Sequence, residues 1–329
     1  YGLWGLVLLA AAAQLAARSA RGREAARARW LVRSAAIVGG YGVLQKLGFD
    51  PVFHIKNLPM GGRAVSTLGS PVDLGALLVL AWPLSLWRVD GDRRPLSALA
   101  ALLIAGGLIA SGSRGALLAA AAGPAAYWLM SRRRPSESLR PSLGVALAAV
   151  GAAILWSWRP GAAVVDVARR EVWKTALTVF AQSPLLGCGP DGFEDAFRRL
   201  RTADFVAAMG SQRHQAYAHN DILQILAGMG IAGAAAYAAL LAALGKTARR
   251  ALEPSASRAL AAALISGLLA FWVNLEFNPV SLEVLAFAAV IAGLLGSLSC
   301  QAPHGLLPRG PLLAAAGLAS FSLFCSVAM

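Results

Sequence analysis

Three basic positions and one imidazole carry the chemistry open to this sequence. Arg114 stands in Ser111-Gly112-Ser113-Arg114-Gly115, a turn too short to be a loop. Arg169 and Arg170 are neighbours in a stretch of helical spacing, and Arg170 precedes Trp173 by three residues. His219 opens His219-Asn220-Asp221-Ile222-Leu223-Gln224, just ahead of a long apolar run. A guanidinium holds phosphate oxygens through paired hydrogen bonds, so two of them fit a diphosphate. An imidazole titrating near neutrality can take a proton from a hydroxyl. Each residue also has a plain structural use. Arg114 can snorkel at a helix end. Arg169 and Arg170 can meet lipid phosphates from an interfacial helix. His219 can be one more residue at a helix start, with Asn220 or Asp221 as the N-cap. Only their meeting at one place favours the chemical reading. Asp73, Glu276 and Glu283 are the other ionisable groups at the edges of apolar runs.

The elements that must position these residues follow from composition. Of 329 residues, 57% are hydrophobic and 14% charged, and the mean hydropathy is +0.61. A soluble domain is about 25% charged, so most of this surface must face lipid. That excludes a cytosolic enzyme, a disulfide-built secreted module and a disordered chain. Cys188, Cys300 and Cys325 are far apart and form no CxxC, so neither a metal site nor a disulfide framework is indicated. A bilayer core of about 30 Å needs about 20 apolar residues per helix. Ten candidate spans result, at about 1–17, 32–48, 68–87, 96–111, 115–131, 141–158, 220–244, 259–275, 277–298 and 310–329. The expectation is an all-α, polytopic membrane helix bundle, one transmembrane domain over 1–329. Several spans are rich in Ala and Gly, which favours close packing in lipid.

Charge then orients the bundle. The formal net charge is +14, and eighteen of the thirty Lys and Arg fall in alternate connections. These hold Arg18 to Arg33, Arg88 to Arg94, Arg132 to Arg140, Lys246 to Arg258, and Arg309. Such alternation is the positive-inside pattern rather than a nucleic-acid surface, so this side is expected to be cytoplasmic. The first residue, Tyr1, then lies outside, and a cytoplasmic natural N-terminus would require an odd number of spans before it. The one long connection, 159–219, falls on the outer side. Its apolar residues at 172, 173, 176, 177, 179 and 180 predict a helix over 167–180, which Pro184 stops. A Gly-rich turn at 187–192 and a second short helix at 192–201 follow. This predicts a folded outer cap, a loop subdomain inserted between spans. Arg114, Arg170 and His219 would share its membrane edge. That set suits transfer of a glycan from a lipid diphosphate at the outer leaflet.

Several runs, in order, resemble the O-antigen ligase/polymerase superfamily. They are Ser66-Thr67-Leu68-Gly69-Ser70-Pro71, Ser113-Arg114-Gly115-Ala116-Leu117-Leu118, Arg170 with Trp173, and 183–193 with its Ser183-Pro184-Leu185-Leu186-Gly187-Cys188-Gly189 start. His219-Asn220-Asp221 with Leu223-Gln224, and Gly230-Ile231-Ala232-Gly233, complete the series. The resemblance runs from about 63 to 296. It implies a GT-C-like glycosyltransferase of the bacterial inner membrane, active at its periplasmic face and without cofactor or metal. Its implied donor is an undecaprenyl-diphosphate-linked glycan and its acceptor a glycan, lipid or protein, amid membrane lipids and with no nucleic acid. Carried over, Arg114 and Arg170 (or Arg169) would bind the diphosphate and His219 would serve the acceptor, with Asn220, Asp221 and Trp173 in support. Two positions depart from the family: Gly228 stands where many members have Glu, and Ser70 where many have Asn.

Two other classes compete. A small-anion transporter, for bicarbonate as an example, should show broken spans and a polar site at the midplane. Here the evident break, 274–279, is expected at the outer edge, and Glu283 is the carboxylate expected to lie deeper. A non-catalytic membrane subunit of the same fold would have no need of Arg114 or His219, and both are present.

Overall fold

A computed structural model describes residues 2–55, 58–92, 94–131, 151, 162–189, 191–253 and 256–300. Among them lie helices α1 (Gly2–Ser19), α2 (Glu24–Lys46), α3 (Pro71–Gly91), α4 (Pro95–Ser111), α5 (Arg114–Ser131) and α6 (Ala162–Gln182). Then come α7 (Phe193–Leu200), α8 (Ala203–Met209), α9 (Asp221–Ala251), α10 (Arg258–Leu275) and α11 (Leu282–Ser299). The described residues contain no strand.

Local signals set several helix ends. The Ser70 hydroxyl accepts from the Asp73 N–H at 3.4 Å and Pro71 opens α3, the arrangement that satisfies orphan first-turn donors. Pro95 opens α4, and Gly112 closes it in the left-handed region, which a residue without Cβ enters most easily. Thr202 caps α8 and Asn220 caps α9.

Helix α3 is the centre. It packs on α2, α4, α5, α10 and α11, and its residues from Leu74 to Leu86 are buried. A helix that is apolar all round belongs inside. Small residues set the spacing between helices, as they do in lipid. A Cβ at Gly267 would stand 2.4 Å from the Leu80 carbonyl oxygen, and one at Gly107 would stand 2.6 Å from Gly39 Cα.

Four described helices, α3, α9, α10 and α11, are long and apolar enough to cross a membrane. This supports a helical membrane protein, and it does not support the expected count of about ten. Segment 310–329 lies outside the described residues, as does 141–158 apart from position 151. The remaining expected spans are helices that fall short. Helix α4 has 17 residues, α2 carries Arg27, Arg29 and Arg33, and α5 carries Arg114 and Pro124 among its alanines.

Residues of the long connection gather around a second, smaller apolar cluster. It joins Ala168, Val172, Ala176 and Val179 of α6 to Phe193, Ala196 and Phe197 of α7, Phe205 of α8, and Ala218 and Ala227. The packed face of α6 is therefore 168, 172, 176 and 179, while Leu177, one of the residues that follow helical spacing, is exposed. Glu171 fixes α6 to α8. It is buried, yet it accepts from Lys174 Nζ at 2.6 Å and from Thr202 Oγ1 at 2.9 Å.

Helix α9 is broken at Gly230 (φ 60°, ψ −156°). In an intact helix the Ile231 N–H would bond the Ala227 carbonyl. Instead Ile231 N–H donates to the Pro184 carbonyl at 2.8 Å and Ala232 N–H to the Leu185 carbonyl at 3.1 Å. The Ala227 carbonyl accepts from Cys188 N–H at 2.9 Å. The 184–188 backbone is thus spliced into the break, so these polar groups stay paired. Contact is so close that a Cβ at Gly187 would stand 2.4 Å from the Met229 nitrogen. Residues 231–251 beyond the break suffice for a core of about 30 Å at about 1.5 Å per residue. Residues before it pack with the small cluster through Leu223 and Ala227.

Candidate functional site

The connection between α10 and α11 gathers the site. Asn278 Nδ2 donates to Asn274 Oδ1 at 2.9 Å and to Ser113 Oγ at 3.3 Å. It lies where a Cβ on Gly115 would be, 2.4 Å away. The Ser113-Arg114-Gly115 turn therefore docks on Asn278 and tolerates no side chain at 115. The Phe277 carbonyl accepts from Arg169 Nη2 at 3.4 Å. Glu276 accepts from Asn220 Nδ2 at its carbonyl, 3.3 Å, and at Oε2, 2.9 Å. Ser281 N–H donates to Asp73 Oδ1 at 2.7 Å. One short connection thus ties α3, α5, α6 and the start of α9 together. Asp73 has a structural use in this arrangement. Glu283 lies exposed in the first turn of α11, not deep in the bundle as expected.

Arg114 heads α5 and points its fork at α6. Its Nη2 and Nη1 donate to the two carboxylate oxygens of Asp166, at 2.6 and 3.2 Å. The arginine side chain is 21% exposed and the aspartate 46%, so the pair is open to solvent on the carboxylate side. The Arg114 fork, followed by the nearby Arg169 and Arg170, holds the Asp166 carboxyl below its usual range. Such a two-pronged seat for a planar anion also fits a phosphate.

Arg169 and Arg170 part company. Arg169 is half-buried, bonded to Phe277, and lowered in pKa by burial and by Arg114. Arg170 is exposed. The structure therefore brings Arg169 to Arg114 and His219, and leaves the expected Arg170 facing solvent. Successive residues point about 100° apart around a helix, so the two guanidiniums leave α6 in different directions. Arg63, in the connection before α3, also lies by Arg114. Its Nε donates to the Ser111 carbonyl at 2.7 Å.

His219 is held from both sides. Before it, Ala218 N–H donates to Gln224 Oε1 at 2.7 Å. After it, Asn220 Oδ1 accepts from Leu223 N–H at 2.8 Å while its amide reaches Glu276. Between these clamps His219 has φ 55°, the left-handed region that costs a residue bearing a Cβ energy and clusters at functional positions. Its Nε2 lies 3.2 Å from Gln215 Oε1. A proton on Nε2 would serve that oxygen and leave Nδ1 as the basic nitrogen. Burial, and after it Arg169, lowers the His219 pKa from 6.5 to about 4. The ring is neutral at physiological pH.

Of the supporting residues expected, Asn220 caps and clamps as described. Asp221 is the first residue of α9 and helps burial raise the Glu276 pKa. Trp173 has a buried indole N–H that meets no acceptor among the described residues. The sequence reading missed Asp166, Gln215 and the gathering role of 274–281. Asp166 had a visible signal, an acid three and four residues before two arginines on one helix. That signal points to a bond within α6, whereas the observed bond crosses to α5.

Comparison with known proteins bears on the chain's family. Residues 99–238 match the O-antigen ligase family. This segment thereby supports the O-antigen ligase/polymerase resemblance read from the sequence, and with it glycan transfer in a membrane. The matched segment runs from α4 through the break in α9. It includes Arg114, Asp166, Arg169, Arg170 and His219, as well as the 184–188 splice. Arg63 and the 274–281 connection lie outside it. No match was found among curated proteins.

Proposed function

We propose that this protein transfers a glycan from an undecaprenyl-diphosphate carrier to an acceptor hydroxyl, on a glycan, lipid or protein, without a metal ion. The site would face the periplasm, with the arginine-rich connections in the cytoplasm. The observation that carries the reading is the Arg114 fork, seated on a carboxylate, with Arg169 and a neutral His219 alongside. A diphosphate takes the place of Asp166 on Arg114 and draws Arg169 to its other phosphate. These guanidiniums supply the positive charge that the leaving diphosphate requires as it forms. His219 Nδ1 receives the acceptor proton.

The low His219 pKa makes it a weak base in the empty site. The bound donor brings two negative charges close to it, raising its proton affinity just when the proton must be taken. A transporter would want open polar groups at a broken span, whereas those at the break in α9 are engaged by the 184–188 backbone. The test is turnover of a lipid-diphosphate glycan by the purified protein in liposomes. Arg114→Ala should lower it about a hundredfold or more with folding intact, and Arg114→Lys should rescue poorly, lacking the fork. Full activity of Arg114→Ala would reject the assignment.

A further inference from the structure

The connection from α2 to α3 turns apolar side chains outward. Leu47, Phe49, Val52 and Phe53 are all exposed, Leu47 to 77%. One carboxylate builds this turn. Asp50 Oδ1 accepts from the Tyr41 hydroxyl and from Phe53 N–H, the latter at 3.1 Å. Asp50 Oδ2 accepts from Gln45 Nε2 at 3.2 Å and from Ile55 N–H at 3.1 Å. The N–H groups of Leu47, Gly48 and Phe49 return to the carbonyls of Val43, Gln45 and Leu44, each at 3.0 Å, and Pro51 has no N–H. Gly48 makes that return at φ 86°, the usual glycine exit from a helix. The Phe53 ring leans on Tyr41, with ring centres 6.2 Å apart. Burial raises the Asp50 pKa, yet the bonds from Tyr41 and the backbone outweigh it and bring the pKa down to about 2. The clasp therefore keeps its charge at physiological pH. These polar groups are drawn inward, and the apolar side chains are left outside.

The outward side chains continue a row on α2. Trp30, Ile37 and Leu44 are exposed and stand seven residues apart, so they share nearly one face. Arg33 lies over the Trp30 ring at 4.8 Å, in the arginine-rich half of α2. Leu47 follows Trp30 by seventeen residues, about 25 Å at about 1.5 Å per residue. That is close to the thickness of a hydrocarbon core, about 30 Å. The far end of the row is tied to the site. Gln45, buried, accepts at Oε1 from the N–H groups of Val65 and Ser66 at 3.2 and 2.7 Å. Ala64 N–H donates to the Ala110 carbonyl at 3.0 Å, in the last turn of α4 and just before Ser113-Arg114-Gly115.

We propose that residues 47–55 form a rigid wedge seated in the lipid surface at the site's end of the bundle, with Leu47, Phe49, Val52 and Phe53 among the upper acyl chains. Three observations favour lipid over a protein as the occupant. The patch runs on from the exposed row of α2, so one apolar surroundings covers both. The row begins at a tryptophan stacked under an arginine and ends at two phenylalanines, the aromatic anchors expected at the two borders of a bilayer. The turn also keeps its backbone N–H groups at 47, 48, 49, 53 and 55 paired, which entry into hydrocarbon demands. The wedge holds this place whatever carrier the site takes.

The experiment uses the full chain in nanodiscs of phosphatidylethanolamine and phosphatidylglycerol, with Cys188→Ser, Cys300→Ser and Cys325→Ser to leave single sites for a nitroxide label. Labels enter through Phe49→Cys, Phe53→Cys and, as a control at an exposed position of α8, Asp204→Cys. Collision with oxygen, compared with collision with a water-soluble nickel chelate, reads the depth of each label. Labels at 49 and 53 should lie about 5–10 Å below the lipid phosphates, the depth of an interfacial apolar face, and the label at 204 in water. Labels at 49 and 53 as wet as the one at 204 would overturn the proposal. Shielding of 49 and 53 from both reagents, with spin–spin broadening, would mean that a second copy of this chain covers the patch, and would overturn it too. Asp50→Ala should release the clasp, so that the label at 53 rises to the phosphates and moves more freely. Asp50→Asn keeps an oxygen for Tyr41 and Phe53 and should hold the label nearer its original depth. A label at 53 as deep and as still in Asp50→Ala as before would contradict the built wedge.

Discussion

The two ends of the helix bundle hold arginines in different company. At one end Arg18, Arg21, Arg23, Arg27, Arg33, Arg94, Arg249 and Arg250 are exposed. Their neighbours are the surface pairs Arg88–Asp92 at 2.9 Å and Arg94–Asp92 at 3.3 Å, and Arg33 over the Trp30 ring at 4.8 Å. Contacts of this kind each add little to stability. Their number is what counts, because it biases which side of a membrane the end occupies. At the opposite end Arg63, Arg114 and Arg169 are half-buried, and each is fixed by a named oxygen of another element: Ser111, Asp166 and Phe277. Position counts there rather than number. The same residue type lies exposed in number at one end and is fixed by tertiary bonds at the other, where the proposed anion seat lies. Burial and tertiary hydrogen bonding make the difference.

That contrast predicts a graded set of effects. The largest belongs to His219, next to the anion seat. His219→Gln should lose about two to four orders of magnitude in turnover, the contribution of a positioned base, while donor affinity persists. In the wild type kcat/KM reports the free enzyme, so it should stay level through neutral pH and fall only as pH drops through about 4. The neutral ring is the active form, so protonation can only reduce the rate. The kcat profile reports the loaded enzyme, and its fall should begin at higher pH because the bound diphosphate raises the His219 pKa. Coincident profiles, or a fully active His219→Gln, would remove His219 from the role of base.

Next comes the adjacent pair. Arg169→Ala should cost about a hundredfold in kcat, as for loss of one donor to a developing charge, and Arg170→Ala no more than a few-fold. The reverse order in the same assay would return the diphosphate contact to Arg170. The smallest effect is expected at the basic end. Arg249→Ala combined with Arg250→Ala should leave kcat and KM unchanged, and a large loss there would break the division between the two ends.

Much of this was legible from residue spacing, and what was not has a physical reason. The helical period over 167–180 and the stop at Pro184 gave α6, and the order of polar groups placed His219 at the start of α9. The Gly-rich turn was visible, but its purpose was not. Gly187 and Gly230 are needed because two backbones meet, and they meet only once α9 is broken. Sequence spacing favoured Arg170 through its interval to Trp173, yet which face of α6 docks is settled by Phe277, more than a hundred residues away. Asp166 carried no signal for its tertiary bond because its partner Arg114 lies 52 residues earlier. Ten spans were counted from apolar runs, and arginines inside α2 and the short length of α4 explain why several runs fail to qualify by length and composition.

The most direct measurement is an experimental structure of the protein in nanodiscs with undecaprenyl diphosphate. The account predicts phosphate density on Arg114 and Arg169, within hydrogen-bond reach of both guanidiniums, and Asp166 displaced from the Arg114 fork. Phosphate density among the arginines of the basic end, with the Arg114–Asp166 pair intact, would contradict it.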